Sequence, residues 1–337
     1  MNLNYLRNKS ILVTGGTGSF GENFVEFLLK KSRNISRIVI YSRDELKQYH
    51  LAQKFENNKN KNLRFFIGDI RDKQRLVYAL EGIDYVIHAA ALKQVPTAEY
   101  NPLEAIKTNV LGAQNLIEAC IQTGVKKVVA LSSDKAVAPI NLYGATKLCA
   151  DKLFIASNNY IGKKKISFSV IRYGNVMGSR GSVLPIFINQ KKSGTVTLTH
   201  RDMTRFNISM KDCIKMVIFV LKNSCGGEIF IPKMPSFKIR DLAKVVTPKC
   251  KVKYIGIRPG EKIHEEMITA SESQGVFDTG KYYVVLPSKD LIQRERKKYV
   301  RFTKFKKMNY GFSYSSGNNI DFLNLKDLKR LVTEYMK

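Results

Sequence analysis

Over the first half of the chain, short apolar runs bounded by turn residues alternate with longer stretches of helical periodicity. Runs of three to five apolar residues suit strands buried on both faces, and the intervening 3.6-residue pattern suits covering helices, so βαβ units and a parallel sheet are expected. Strands are predicted at Ile11–Val13, Arg37–Tyr41, Leu63–Ile67, Tyr85–His88, Lys127–Ser132 and Ser167–Arg172. Helices are predicted near 22–31, 45–55, 103–123 and 145–158. Six or seven parallel strands with helices on both sides make an α/β, doubly wound parallel sheet. After Tyr173 the rhythm breaks into Gly- and Pro-rich stretches at 178–185, 232–237 and 257–261. A smaller, discontinuous α/β region is expected there, with 209–222 as a helix returning to the main body. The division reads as 1–174 with 203–228 for the main domain, and 175–202 with 229–337 for the smaller region.

Composition changes this picture little, but charge adds a question. Lys and Arg total 57 against 28 Asp and Glu, a formal net charge of +29. Such an excess attracts nucleic acids, membranes or anionic substrates. It is densest over 281–310, yet it runs along the whole chain and comes with no aromatic-interleaved nucleic-acid module. A solvated, Lys-rich surface is therefore the expected reading, and Asn-rich stretches such as Asn57–Asn62 fit it. No apolar run approaches the roughly 18 residues needed to cross a bilayer, and Met1–Ser10 lacks the pattern of a signal peptide, so no membrane partner is expected. Five scattered cysteines without a C-x-x-C pair suit the reducing cytoplasm. The four histidines, His50, His88, His200 and His264, show no i, i+4 pairing, so no metal is expected.

Three groups of residues carry chemistry. Thr14-Gly15-Gly16-Thr17-Gly18-Ser19-Phe20-Gly21 lies between the first strand and first helix. There, glycines allow a tight turn, a close approach of backbone to a pyrophosphate, and packing of the helix on the sheet. The second strand ends in Ser42-Arg43-Asp44, with Lys47 one turn later. Arg43 and Lys47 favour a 2′-phosphate and hence NADP, while Asp44, an acid suited to the NAD ribose, keeps NAD open. Asp69 and Ile70 follow the third strand, facing the adenine, and Ala89, Ala90 and Ala91 follow the fourth, where a cofactor lies close to backbone. The third group is Ser132-Ser133-Asp134-Lys135 with Tyr143 and Lys147. Residues four apart share a helical face, so the Lys147 charge is placed to lower the Tyr143 pKa from about 10.

Together these residues resemble the extended short-chain dehydrogenase/reductase (SDR) superfamily. Leu131–Ala136 and Asn141–Lys147 narrow the likeness to the C5-inverting UDP-N-acetylglucosamine 4,6-dehydratases of the pseudaminic acid pathway type. Tyr41–Gln48, His88–Pro96, Arg172–Val183, Met203–Phe206, Gly226–Pro232, Arg258–Lys262 with His264-Glu265, and Gly311–Ser316 extend it over nearly the whole chain. The resemblance implies an NADP-binding Rossmann domain and a nucleotide-sugar-binding region, with NADP tightly held and recycled at each turnover. It implies that Tyr143 removes the 4-hydroxyl proton as hydride leaves C4, with Lys147 at the nicotinamide ribose and Ser133 at the same centre. Lys135 is then the base at C5 and Asp134 the acid at the departing 6-hydroxyl. At pH 7 an ordinary Asp is protonated about once in a thousand and an ordinary Lys neutral about once in a few thousand. Each pKa must move by roughly three pH units, about 4 kcal/mol, unless one proton passes between the two.

By the same likeness Lys93 and Asn109 join the cofactor site. Lys93, Asn175, Arg180, Arg205, Arg258 and Glu261 are expected at the UDP-sugar, the arginines at its diphosphate. A homo-oligomer, dimer or hexamer, is implied too. Ser133 stands where the family has threonine, Gln94 where histidine is common, and Asn207 where tryptophan is usual. A C5-retaining 4,6-dehydratase or a 4-epimerase is the enzymatic alternative, although a 4-epimerase has no use for a C5 base. Outside catalysis the alternative is an NADP-sensing or nucleic-acid-binding protein on the same fold.

Overall fold

In the computed structural model, which describes residues 3–31, 34–56 and 62–336, buried strands and amphipathic helices alternate as the pattern predicts. Of the Asn-rich stretch, residues 57–61 lie outside the described residues. In chain order the first half runs β1 (Ser10–Thr14), α1 (Ser19–Lys31), β2 (Arg37–Ser42), α2 (Glu45–Glu56), β3 (Leu63–Ile67), α3 (Lys73–Leu80) and β4 (Tyr85–His88). Then follow α4 (Val95–Tyr100), α5 (Pro102–Ile106), α6 (Gly112–Thr123), β5 (Lys127–Leu131), α7 (Leu142–Ser157) and β6 (Ser167–Ile171). The second half holds β7 (Asn175–Val176), α8 (Val183–Gln190), β8 (Thr195–Leu198), β9 (Thr204–Ile208), α9 (Met210–Asn223), β10 (Ile229–Pro232), β11 (Ser236–Lys238), α10 (Ile239–Val246) and β12 (Lys251–Tyr254). After them come β13 (Glu266–Ile268), β14 (Val276–Asp278) and β15 (Tyr282–Val285).

The main sheet orders its parallel strands β3-β2-β1-β4-β5-β6-β10, and β15, β14 and Lys306–Lys307 extend it antiparallel to ten strands. Successive side chains of each strand feed opposite cores. Leu12, Val128 and Ala130 join one cluster with α3, α6 and α7, while Ile11, Val13, Val129 and Leu131 join the other with α1, α2 and α9. The helix expected over 209–222 is α9, packed on this second face. Strand order reverses at β1, which pairs with both β2 and β4, and a doubly wound sheet opens its crevice at that point.

One expectation is corrected. The sheet takes in β10, β14 and β15, which the division above gave to the smaller region: β10 is fully buried and pairs with β6, and β15 pairs with β10 in turn. The smaller region keeps its own core, built by Leu184, Phe187, Val196, Phe237, Leu242 and Leu328. The helix expected over 103–123 is present as one continuous helical run with a wider turn inside it. A wide π-turn at Lys107–Leu111 joins α5 to α6, and just beyond it a Cβ on Gly112 would come within 2.7 Å of Ile70. Among the described residues no helix is long and apolar enough to cross a membrane.

The two regions are joined by Arg172, which is 1% exposed. Its guanidinium lies 3.8 Å from Asp151 and 3.1 Å from Glu272 and donates to the Met267 carbonyl at 2.9 Å. Removing one partner of a buried ion network strands the others, so Arg172→Leu is expected to cost about 3–5 kcal/mol, read as a lower denaturant midpoint. A midpoint equal to that of the unaltered protein would show that Arg172 does not tie the regions together.

Candidate active site

The C-terminal ends of β1, β4 and β5 meet in one cleft with two lobes. The turn from β1 into α1 shapes the first. Gly15 has φ +63°, and a Cβ there would sit 2.8 Å from the Ala90 nitrogen; one on Gly21 would sit 2.5 Å from the Gly16 Cα. Only glycine permits this turn to lie against the end of β4 while α1 packs down behind it. Thr14 holds the approach together: its Oγ1 accepts from the Ala89 and Ala90 amides and lies 2.8 Å from His88 Nδ1. Burial and the Lys147 charge hold the His88 pKa down at about 3, so this imidazole is neutral.

The first lobe, about 290 Å³, is lined by Gly15, Thr17, Gly18, Ser42, Arg43, Lys47, Asp69, Ile70 and Ala89–Ala91. The second, about 420 Å³, shares Gly15, Gly18, Ala89, Ala91 and Arg180 with it and adds Ser19, Phe20 and Gly21. Asn109 is buried behind the cleft, where it exchanges two hydrogen bonds with the Leu92 backbone and donates to Thr146. It braces the loop after β4 and is not part of the lining. Gln48 plays a similar part beside β2, donating to the Ser42 and Phe66 carbonyls. At the open end Lys47 pairs with Asp44, whose pKa its hydrogen bond lowers, and Arg43 lies 3.7 Å from Asp69.

The second lobe holds Ser133, Asp134, Lys135, Tyr143 and Lys147 together. Asp134 is fully buried; its Oδ1 accepts from Ser133 Oγ at 2.8 Å and Lys135 Nζ at 2.9 Å. Lys147 Nζ donates to the Leu131 carbonyl at 2.8 Å. Burial pushes the Tyr143 pKa up to about 12, opposed by the Lys135 charge and a Ser133 hydrogen bond. The positive charge that favours the phenolate is thus that of Lys135.

Lys135 itself departs from expectation. Glu265, 3% exposed and on a different segment of the chain, brings its Oε1 to 3.2 Å from Lys135 Nζ, a second carboxylate beside that of Asp134. Burial alone would pull the lysine down, but Asp134 and Glu265 together hold its pKa above the ordinary lysine value, and burial pushes that of Asp134 up. The resting lysine is thus an ammonium, the reverse of the neutral lysine anticipated for it. Sequence reasoning quoted Glu265 in a motif and gave it no role, because a separation of 130 residues leaves no spacing signal.

The substrate residues are placed unevenly. Lys93 and Asn175 line the second lobe. Arg180, expected at the substrate diphosphate, lies over the glycine-rich turn: its amide is 3.3 Å from Ser19 Oγ, Nη1 is 3.3 Å from the Thr17 carbonyl, and Lys93 Nζ donates to its carbonyl at 2.6 Å. Gly178 and Gly181, both at φ +74°, fold this loop back onto α1. Arg205, Arg258 and Glu261 are not in the cleft lining. Arg205 is buried, bonded to the Thr204 and Ile263 carbonyls and 3.6 Å from Glu265, and Arg258 is exposed, 3.9 Å from Glu261.

The chain matches the family model described as polysaccharide biosynthesis protein over residues 11–287. It is 50% identical over 96% of its length to the UDP-N-acetylglucosamine 4,6-dehydratase (inverting) of Campylobacter jejuni subsp. jejuni serotype O:23/36, of which 97% is covered. It is 42% identical to a UDP-glucose 4-epimerase of Rickettsia akari over 96% of this chain and 95% of that one. Among solved structures, Pen from Bacillus thuringiensis superposes with a TM-score of 0.89 at 36% identity, covering 98% of this chain and 99% of the other. A turn, cleft and ion pair of this kind, in a sequence matched almost end to end, make the chain a member of the polysaccharide biosynthesis protein family on an extended SDR fold.

Proposed function

We propose that the chain is an NADP-dependent UDP-N-acetylglucosamine 4,6-dehydratase that inverts C5, forming UDP-2-acetamido-2,6-dideoxy-β-L-arabino-hex-4-ulose. The observation that carries this reading is the pairing of half-buried Lys135 with the fully buried Asp134 beside Tyr143 in the cleft, in a chain half identical to an inverting dehydratase. A 4-epimerase needs a proton acceptor at the 4-hydroxyl only, and such a pair would be idle in it. The 2′-phosphate form of the cofactor is supported by Arg43, Lys47 and Arg180 around the first lobe, which outnumber Asp44 and Asp69. The cradle that a Cβ on Gly15 would fill suits a dinucleotide held against the backbone of Ala89 and Ala90. Exposed Tyr100, Leu103 and Leu111 on the α4–α6 segment support a homo-oligomer.

When bound, NADP supplies the hydride acceptor for C4 and returns that hydride at C6. Tyr143 takes the 4-hydroxyl proton, and the Lys135 ammonium and the Ser133 hydroxyl favour its anionic form. The resulting ketone acidifies the C5 proton. The Lys135 proton passes along the 2.9 Å hydrogen bond to Asp134, leaving both groups neutral. Lys135 then takes the C5 proton as the C5–H electrons form the C5–C6 double bond. The C6–O bond breaks, and Asp134 protonates the hydroxyl so that it leaves as water. Reprotonation of C5 from the opposite face gives the L-configured product.

A proton NMR time course with UDP-N-acetylglucosamine in D₂O is expected to show a 6-deoxy-4-keto sugar with inverted C5 carrying deuterium. Retained C5 would replace this reading with a retaining dehydratase. A C4-inverted sugar with its 6-hydroxyl intact would replace it with an epimerase. Lys135→Met should cut turnover by about 10²-fold or more; unchanged turnover would remove Lys135 from the chemistry. For the cofactor, Arg43→Glu should weaken NADP binding at least about tenfold relative to NAD, since it exchanges a phosphate partner for a repelling charge. Titration of the purified protein with each dinucleotide checks it, and an unaltered NADP-to-NAD ratio would contradict the assignment.

A further inference from the structure

The ionisable groups at the catalytic pair do not end with the pair. Lys135 Nζ sits 2.9 Å from Asp134 Oδ1 and 3.2 Å from Glu265 Oε1, and Arg205 Nε lies 3.6 Å from that same Glu265 oxygen. Asp134, Arg205 and Glu265 are all buried. Two cations and two carboxylates thus form a closed, neutral set. Glu265 is fixed from outside: Ser316 Oγ accepts from its amide, and its carbonyl accepts from the Ser316 amide. Its second oxygen, Oε2, is buried with no hydrogen-bond partner among the described residues, a costly arrangement that the fold keeps.

We infer that Glu265 is a positioning residue for the C5 proton step, holding the Lys135 amine at the reacting centre and stabilising the ammonium that forms when it takes the C5 proton. The inference rests on the dehydratase reading above and adds to it. Once the Lys135 proton has passed to Asp134, the set still balances as Glu265 against Arg205, so no bare charge is left buried. When Lys135 then gains the C5 proton, its new charge appears beside a carboxylate already in place. No atom moves except the proton, and no further reagent is needed.

The pH dependence follows by sign. Lys135 is faced by Asp134 and Glu265, which favour its charge, and by Arg205, which opposes it; Tyr143 and Lys93 feel the Lys135 charge in turn, and Lys262 acts on Glu265. Glu265 also raises the Asp134 pKa. Removing its negative charge makes both Asp134 and Lys135 easier to deprotonate, so both limbs of a bell-shaped kcat/KM profile move to lower pH. Removing the Arg205 charge moves them to higher pH.

The test measures turnover and C5 deuterium incorporation with UDP-N-acetylglucosamine across pH. Glu265→Gln is expected to lower C5 exchange about tenfold or more and to move the bell down by about one pH unit or more. Glu265→Asp, which keeps the charge, should leave the bell in place with a smaller loss of rate. If Glu265→Gln does not fold, Arg205→Gln decides, with a bell displaced to higher pH. A bell that stays put in the neutral variant that folds would overturn the inference, because loss of rate without displacement is what a purely structural glutamate gives. Wild-type protein that leaves this substrate and its 4-keto product unexchanged would instead overturn the dehydratase reading itself, a result distinguishable by needing no variant.

Discussion

A lysine half withdrawn from water beside buried carboxylates keeps those carboxylates from standing as bare charges, and that requirement ties the two regions of this protein together. Asp134 comes from the end of a main-sheet strand, Glu265 from the segment entering β13, and Arg205 from β9. Removing any one of the three would leave another with an uncompensated buried charge. The catalytic end of the sheet and the smaller region must therefore close on each other for the chain to fold with its charges matched. The Arg172 network repeats the device deeper in the molecule, so association of the regions is enforced by electrostatics as well as by apolar packing.

The cofactor side obeys a steric constraint instead. Gly15 and Gly21 leave no room for side chains between the first turn, the end of β4 and the start of α1. That closeness is what places Arg43, Lys47 and Arg180 around one small lobe, where their charges reinforce each other. The loop bearing Arg180 bridges the lobes, so one short segment lines both. Displacing that segment would disturb both.

What could be read from the residues was what is encoded locally. The central parallel strands stand out because burial on both faces makes them uninterrupted apolar runs; Tyr85–His88 and the half-exposed edge strand Leu63–Ile67 begin and end where the pattern says. Ser133, Asp134, Lys135, Tyr143 and Lys147 lie within 15 residues of one another and come together as their order suggests. The strands β14 and β15 were missed because three or four residues carry too little periodicity, and β10 because a Gly- and Pro-rich context masks it. The partners of Lys135 and the turn of Arg180 toward α1 depend on contacts between distant segments. Position along the chain cannot report them. The upward sense of the Lys135 pKa comes first from the adjacent Asp134, and only the added share of Glu265 comes from far away in sequence.

The sheet ends at Lys306–Lys307, a two-residue strand whose side chains are exposed. An open edge of a ten-stranded sheet offers unpaired amides and carbonyls to any passing strand. Two adjacent lysines on so short an edge repel another copy of themselves and leave too little backbone for a stable ladder. Part of the chain's large positive charge thus blunts this one edge, while the opposite edge is the longer strand Leu63–Ile67.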